Sequence, residues 1–62
     1  MQKLTRRERE ILGLLAGSYL YKEIGEELGI SLSTVRAHLH AIYQKMQVHS
    51  RTEAVVKFLN WK

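Results

Sequence analysis

The sequence predicts an all-α domain of four short helices containing a helix-turn-helix, and three observations carry that expectation. No proline interrupts the 62 residues, and no alternation of apolar and polar positions runs beyond a few residues, so helices meet no breaker while strands lack their period. Thr5-Arg6-Arg7-Glu8 and Ser50-Arg51-Thr52-Glu53 both have the S/T-x-x-E form, in which hydroxyl and carboxylate each satisfy a neighbouring backbone N–H at a helix start. Only Gly29-Ile30-Ser31 separates the second and third apolar-periodic segments, and a turn that short is what a helix-turn-helix uses. No internal repeat or low-complexity stretch suggests any other architecture.

Taken in order, helix 1 should span about residues 6–16, with Ile11, Leu12, Leu14 and Leu15 as its core face and Ala16-Gly17-Ser18 as its end. A short helix 2 follows over about 21–28, burying Ile24 and Leu28, and Gly29 offers a left-handed residue to close it. Gly25, beside Ile24, lets helix 3 cross closely, or else is a tolerated helical glycine costing about 1 kcal/mol against Ala. Ser31 caps helix 3, over about 32–46, with Ile30 placed to pack on Val35 as a hydrophobic staple. Val35, Leu39, Ile42 and Met46 fall at i, i+4, i+7 and i+11 and share one face, which is the core face. Helix 4, over about 51–60, carries Val55, Phe58 and Leu59 on a stripe. Trp61 suits either the end of the core or an exposed terminus.

A chain of 62 residues makes a single domain with a small core. The absence of Cys rules out disulfides and thiolate metal sites and fits a reducing compartment, with the cytoplasm expected. No apolar run approaches the ~20 residues of a membrane span, and no signal-peptide stretch is visible. The net charge of +4 is unevenly placed: residues 1–30 carry five basic and five acidic groups, whereas residues 31–62 carry five basic groups against Glu53 alone. The second half is the side a polyanion prefers.

Helix 3 decides what that polyanion is. At about 100° per residue, Ser33, Arg36, Ala37, His40 and Gln44 fall opposite its core face, and no acid occurs anywhere from residue 28 to residue 52. A solvated helix face normally mixes in Glu; a surface approaching phosphates must not. The reading is a recognition helix that enters the major groove of double-stranded DNA. Arg36 has the fork geometry for guanine O6 and N7, or for a phosphate oxygen. Ala37 offers close approach or contact with a thymine methyl, His40 a donor to a base edge or phosphate, and Ser33 a hydroxyl on the same strip. On helix 4, Val56 falls away from the core stripe beside Thr52 and Asn60 and suits the middle of a small dimer patch or an ordinary exposed valine.

In this order and spacing, Leu4-Thr5-Arg6-Arg7-Glu8, Ile11-Leu12-Gly13-Leu14-Leu15-Ala16, Lys22-Glu23-Ile24, Leu28-Gly29-Ile30-Ser31, Thr34-Val35-Arg36-Ala37-His38-Leu39, Ile42-Tyr43 and Val48-His49-Ser50-Arg51-Thr52-Glu53-Ala54-Val55 resemble the LuxR-type (GerE-type) effector domain of bacterial transcription regulators, including the NarL and FixJ groups. The resemblance covers nearly the whole chain and implies a domain at 1–62 that is the C-terminal part of a longer regulator, such as a response regulator, with an input domain before it. It implies base readout from Arg36, Ala37 and His40, backbone contacts from Thr34, Tyr43, Lys45, Ser50 and Arg51 with Lys22 on the same phosphate track, and a homodimer through helix 4. RNA polymerase is a further partner such a regulator engages. The sequence departs from the family where Gly, a small polar residue and Asn usually stand and Ser18, Leu20 and Tyr21 are found, at Gln47, where Gly is common, and at Gly25, where Ala is.

Other classes fit less well. His38 and His40 point about 200° apart, so with His49 they form neither a zinc pair nor a base beside a nucleophile; no catalytic residue, metal site or cofactor is expected, and the chain reads as no enzyme. Arg36 and Lys45 are the only fixed cations of helix 3, too few for a membrane-surface helix. A protein-interaction module docking on polymerase or another regulator is the remaining alternative, and it would more often show a large exposed apolar patch. Six phosphate neutralisations per monomer would give a slope of log affinity against log salt of about −5.

Overall fold

The computed structural model describes residues 3–60, so Trp61 lies outside the described residues. Its helices are α1 (Arg6–Ala16), α2 (Tyr21–Leu28), α3 (Leu32–Met46) and α4 (Arg51–Leu59). The expected bounds hold except at the end: α4 stops at Leu59, and Asn60 closes it, turning its side-chain amide onto the Val56 carbonyl at 3.1 Å. At the start of α1, Thr5 Oγ1 accepts the Glu8 N–H at 3.1 Å and Glu8 Oε1 accepts the Thr5 N–H at 2.8 Å, a complete capping box. The box at α4 is shifted. Ser50 Oγ accepts the Glu53 N–H at 3.2 Å, but the Glu53 carboxylate reaches the N–H of His49, at 2.8 Å, rather than that of Ser50. Leu20 has no side-chain acceptor, so α2 begins with the return half alone, Leu20 N–H to Glu23 Oε1 at 2.7 Å.

The helix ends share one device. Tyr19 N–H bonds Leu14 O, Ile30 N–H bonds Gly25 O and Val48 N–H bonds Tyr43 O, so α1, α2 and α3 each close with a residue bonded back across five positions. That geometry needs a left-handed residue one position earlier, and these are Ser18 (φ 73°), Gly29 (φ 70°) and Gln47 (φ 60°). Only one is glycine, although L side chains resist this region. Gln47 therefore adopts the conformation that its place in the sequence demands. Replacing Ser18 or Gln47 by Gly is expected to stabilise the domain by about 0.5–1 kcal/mol each, the relief of backbone strain exceeding the added freedom of the unfolded chain. Thermal denaturation should show each melting temperature several degrees higher; an unchanged value would mean that the side chains stabilise these turns.

The core comprises Leu4, Ile11, Leu12, Leu15, Ile24, Val35, Leu39, Ile42, Met46 and Ala54. α1 lies at the centre of the packing, against α2, α3 and α4, while α2 lies against α3. All four expected core residues of α3 are buried. Leu14 and Leu28 are only half-buried. On α4 the expected stripe holds only in part: Val55 and Phe58 are half-buried against the core, but Leu59 is 63% exposed, and small Ala54 is the fully buried residue. Leu59 sits about 140° around the helix from Ala54, on the outward side.

Gly25 is where α2 meets the turn. A Cβ there would stand 2.8 Å from the Ile30 carbonyl oxygen and 3.6 Å from Val35 Cγ2. The close approach expected from the sequence is present, and the tightest contact is with the turn backbone rather than with α3 itself.

Candidate nucleic-acid interface

α3 is a 15-residue helix, about 22 Å long, held to the rest of the domain by one face. The strip opposite that face, Ser33, Arg36, Ala37, His40 and Gln44, is exposed along its whole length. Among the described residues, Arg36 has no ion-pair partner. Ser33 Oγ lies 3.1 Å from Ser31 Oγ, and Thr34 Oγ1 lies 2.8 Å from the same oxygen, whose lone pairs also take the Thr34 N–H at 3.1 Å. The first turn of α3 thus presents three hydroxyls at its positive end, where an anion is favoured. Lys22 and Ser50 are exposed as well.

Three expected phosphate contacts have other partners. Lys45 Nζ bonds Glu8 Oε1 at 2.8 Å, the two side chains being 24% and 7% exposed, so its charge ties α3 to α1 rather than standing free for DNA. Glu8, expected only as a cap, is buried and holds both Thr5 and Lys45. Loss of water pushes its carboxyl up, but the Lys45 hydrogen bond, the Thr5 bonds and the Lys45 charge outweigh that and hold it below the usual value. Arg51 Nη2 donates to Tyr19 O at 3.1 Å, and its guanidinium lies 5.9 Å from the Tyr21 ring centroid. The Tyr43 hydroxyl lies 3.3 Å from that of Tyr21. Burial raises the Tyr43 phenol, and the hydrogen bond with Tyr21 adds to it, so the group stays neutral.

Behind the reading strip, the last turn of α3 is fixed a second time: Lys57 Nζ of α4 donates to Met46 O at 2.6 Å, the favourable placement of a cation at a helix C-terminus. Thr52, Val56 and Asn60 share the outer side of α4, all exposed, and together with Val48 line one shallow depression. Leu59, expected in the core, instead adds a second large exposed apolar side chain to this helix. No helix among the described residues is long and apolar enough to cross a membrane.

Comparison with known proteins agrees with this arrangement. Residues 2–58 match the family described as bacterial regulatory proteins, luxR family. The chain is 48% identical over 56 residues to the spore germination protein GerE of Bacillus subtilis, an alignment covering 90% of this chain and 76% of that protein. It is 49% identical over 55 residues to the transcriptional regulatory protein LiaR of Bacillus subtilis and 52% identical over 54 residues to DegU of Brevibacillus brevis, covering 89% and 87% of this chain. It spans about a quarter of their length, 26% and 23%. With the four helices, the three-residue turn and the family pattern over nearly every position, this chain belongs to the LuxR family of bacterial regulatory proteins.

Proposed function

We infer that this domain binds double-stranded DNA to regulate transcription, seating α3 in the major groove. The observation that carries the reading is the exposed, acid-free strip on a helix whose opposite face is entirely core. The names of its relatives LiaR and DegU, both transcriptional regulatory proteins, support it. Arg36, Ala37, His40 and Ser33 face the base edges, while Lys22, Thr34, Tyr43, Ser50 and Arg51 hold the backbone. Two copies meet through Thr52, Val56 and Asn60, and Leu59 extends that patch, so each dimer covers two half-sites. The domain acts at the C-terminal end of a longer cytoplasmic regulator, with RNA polymerase as its second partner.

Charge available for phosphates is smaller than the sequence suggested. With Lys45 neutralised by Glu8 and Arg36 directed to the bases, Lys22 and Arg51 remain for phosphates, and the hydroxyl contacts release no counterion. The salt slope per monomer should be about −2 instead of about −5.

Selection from random duplexes, with titrations at several salt concentrations, tests this reading. A short motif should be enriched, and Arg36→Ala should relax one position of it, costing about 1–3 kcal/mol there. Absence of salt-dependent binding would overturn the DNA-binding reading in favour of a protein target. Uniform weakening by Arg36→Ala on all sequences would move Arg36 to a phosphate.

A further inference from the structure

We propose that Tyr21 belongs to the DNA-contacting surface, forming with Tyr43 and Arg51 a seat for one backbone phosphate at the flank of α3; this rests on the DNA-binding reading above. The three side chains come from three elements: Tyr21 opens α2, Tyr43 begins the last turn of α3, and Arg51 opens α4. Their convergence is direct, with the two phenol oxygens 3.3 Å apart and the guanidinium 5.9 Å from the Tyr21 ring centroid.

The chemistry of the pair requires an outside acceptor. Two hydroxyls facing each other share one proton, so whichever phenol accepts must direct its own O–H elsewhere. At 3.3 Å the bond is also long for O–H···O, and an anionic oxygen competes for it easily. Arg51 is anchored through one N–H to Tyr19 O, which leaves the rest of its fork for a phosphate. The two acids nearest in sequence are turned away, Glu23 onto the Leu20 N–H and Glu53 onto the His49 N–H.

Position points to DNA as the source of the phosphate. Tyr43 lines one groove with His40 and Gln44 of the reading strip, and it follows Arg36 by seven residues, two turns along the same flank. Lys22, next to Tyr21, is exposed on the same helix start. Tyr43 remains protonated, because burial and its hydrogen bond both raise it, and so remains a donor.

Tyr21→Phe removes one oxygen and nothing else. Its melting temperature should stay close to that of the wild type, while affinity falls about tenfold on selected and unselected duplexes alike. Because a phenol is uncharged, the salt slope should not change; Arg51→Gln, in contrast, should reduce its magnitude by about 0.9. On duplexes carrying a single methylphosphonate, one position should abolish the difference between wild type and Tyr21→Phe. Wild-type affinity for Tyr21→Phe, or a loss that merely follows a lowered melting temperature, overturns the seat alone. Failure of the wild type to bind any duplex overturns the DNA-binding reading and the seat with it.

Discussion

Gly25→Val is expected to lose about 3 kcal/mol of stability and most of its DNA binding at 37 °C. Its first added carbon would stand 2.8 Å from the Ile30 carbonyl oxygen, and a backbone atom held in a three-residue turn cannot swing aside as a side chain can. Overpacking of this kind costs about 1–3 kcal/mol, and a branched residue adds further atoms toward Val35. A domain of this size has about 5 kcal/mol in total, so its melting temperature should fall by about 10–20 °C. Gly25→Ala carries the same first carbon but gains about 1 kcal/mol of helix propensity, and should lose less than half as much. Circular dichroism melts paired with binding titrations check both variants. A Gly25→Val protein as stable as the wild type would show that α2 and the turn can separate without penalty.

Lys45→Met should cost about 2 kcal/mol, read as a melting temperature lower by about 10 °C at neutral pH. The variant keeps the length of the side chain but leaves the Glu8 carboxylate, 7% exposed, without its cation. We place the cost below that of a wholly buried pair because Lys45 is 24% exposed. The sign of the pH dependence follows from Glu8. Its folded-state pKa is lowered, so the stability it contributes is fully present above the unfolded value of about 4.3 and is lost as pH falls through the folded value. Wild-type stability should therefore decline in acid below about pH 4.3, and Glu8→Gln should remove that part of the decline. The difference between wild type and Lys45→Met should shrink over the same range, since protonation removes the charge that Lys45 offsets. A difference that stayed constant down to pH 3 would mean that packing of the Lys45 stem, not its charge, supports α3.

The fold was legible because its signals are local. Caps at Thr5, Ser31 and Ser50, the glycine at 29 and the four-residue core series of α3 each act within a few positions, and the helix bounds follow from them. What escaped depends on pairs far apart in the chain. Glu8 and Lys45 are 37 residues apart and Tyr21 and Tyr43 are 22 apart; nothing in either neighbourhood indicates the other partner. Lys45 therefore read as a free cation, and Tyr21 only as a departure from the family pattern. On α4, hydrophobicity favoured Leu59 over Ala54, but α4 packs on α1, and at the centre of its buried face stands the smaller residue. The left-handed Ser18 stands where the family usually has Gly, and the neighbouring Gly17 has an ordinary φ of −83°.

The reading strip and the scaffold share almost no side chains. Val35, Leu39, Ile42 and Met46 anchor α3 from behind, and Glu8 and Lys57 secure its last turn. Arg36, Ala37, His40 and Gln44, in contrast, are exposed, and among the described residues no hydrogen bond or ion pair ties their side chains to the rest of the domain. Surface substitutions of that kind usually change stability by no more than about 0.5 kcal/mol. Under the base-reading role proposed for Arg36, Ala37 and His40, mutational drift can exchange them one at a time, moving the protein to new operators without first passing through an unfolded ancestor. The same separation would then make them the natural positions to randomise when retargeting the domain to a chosen sequence.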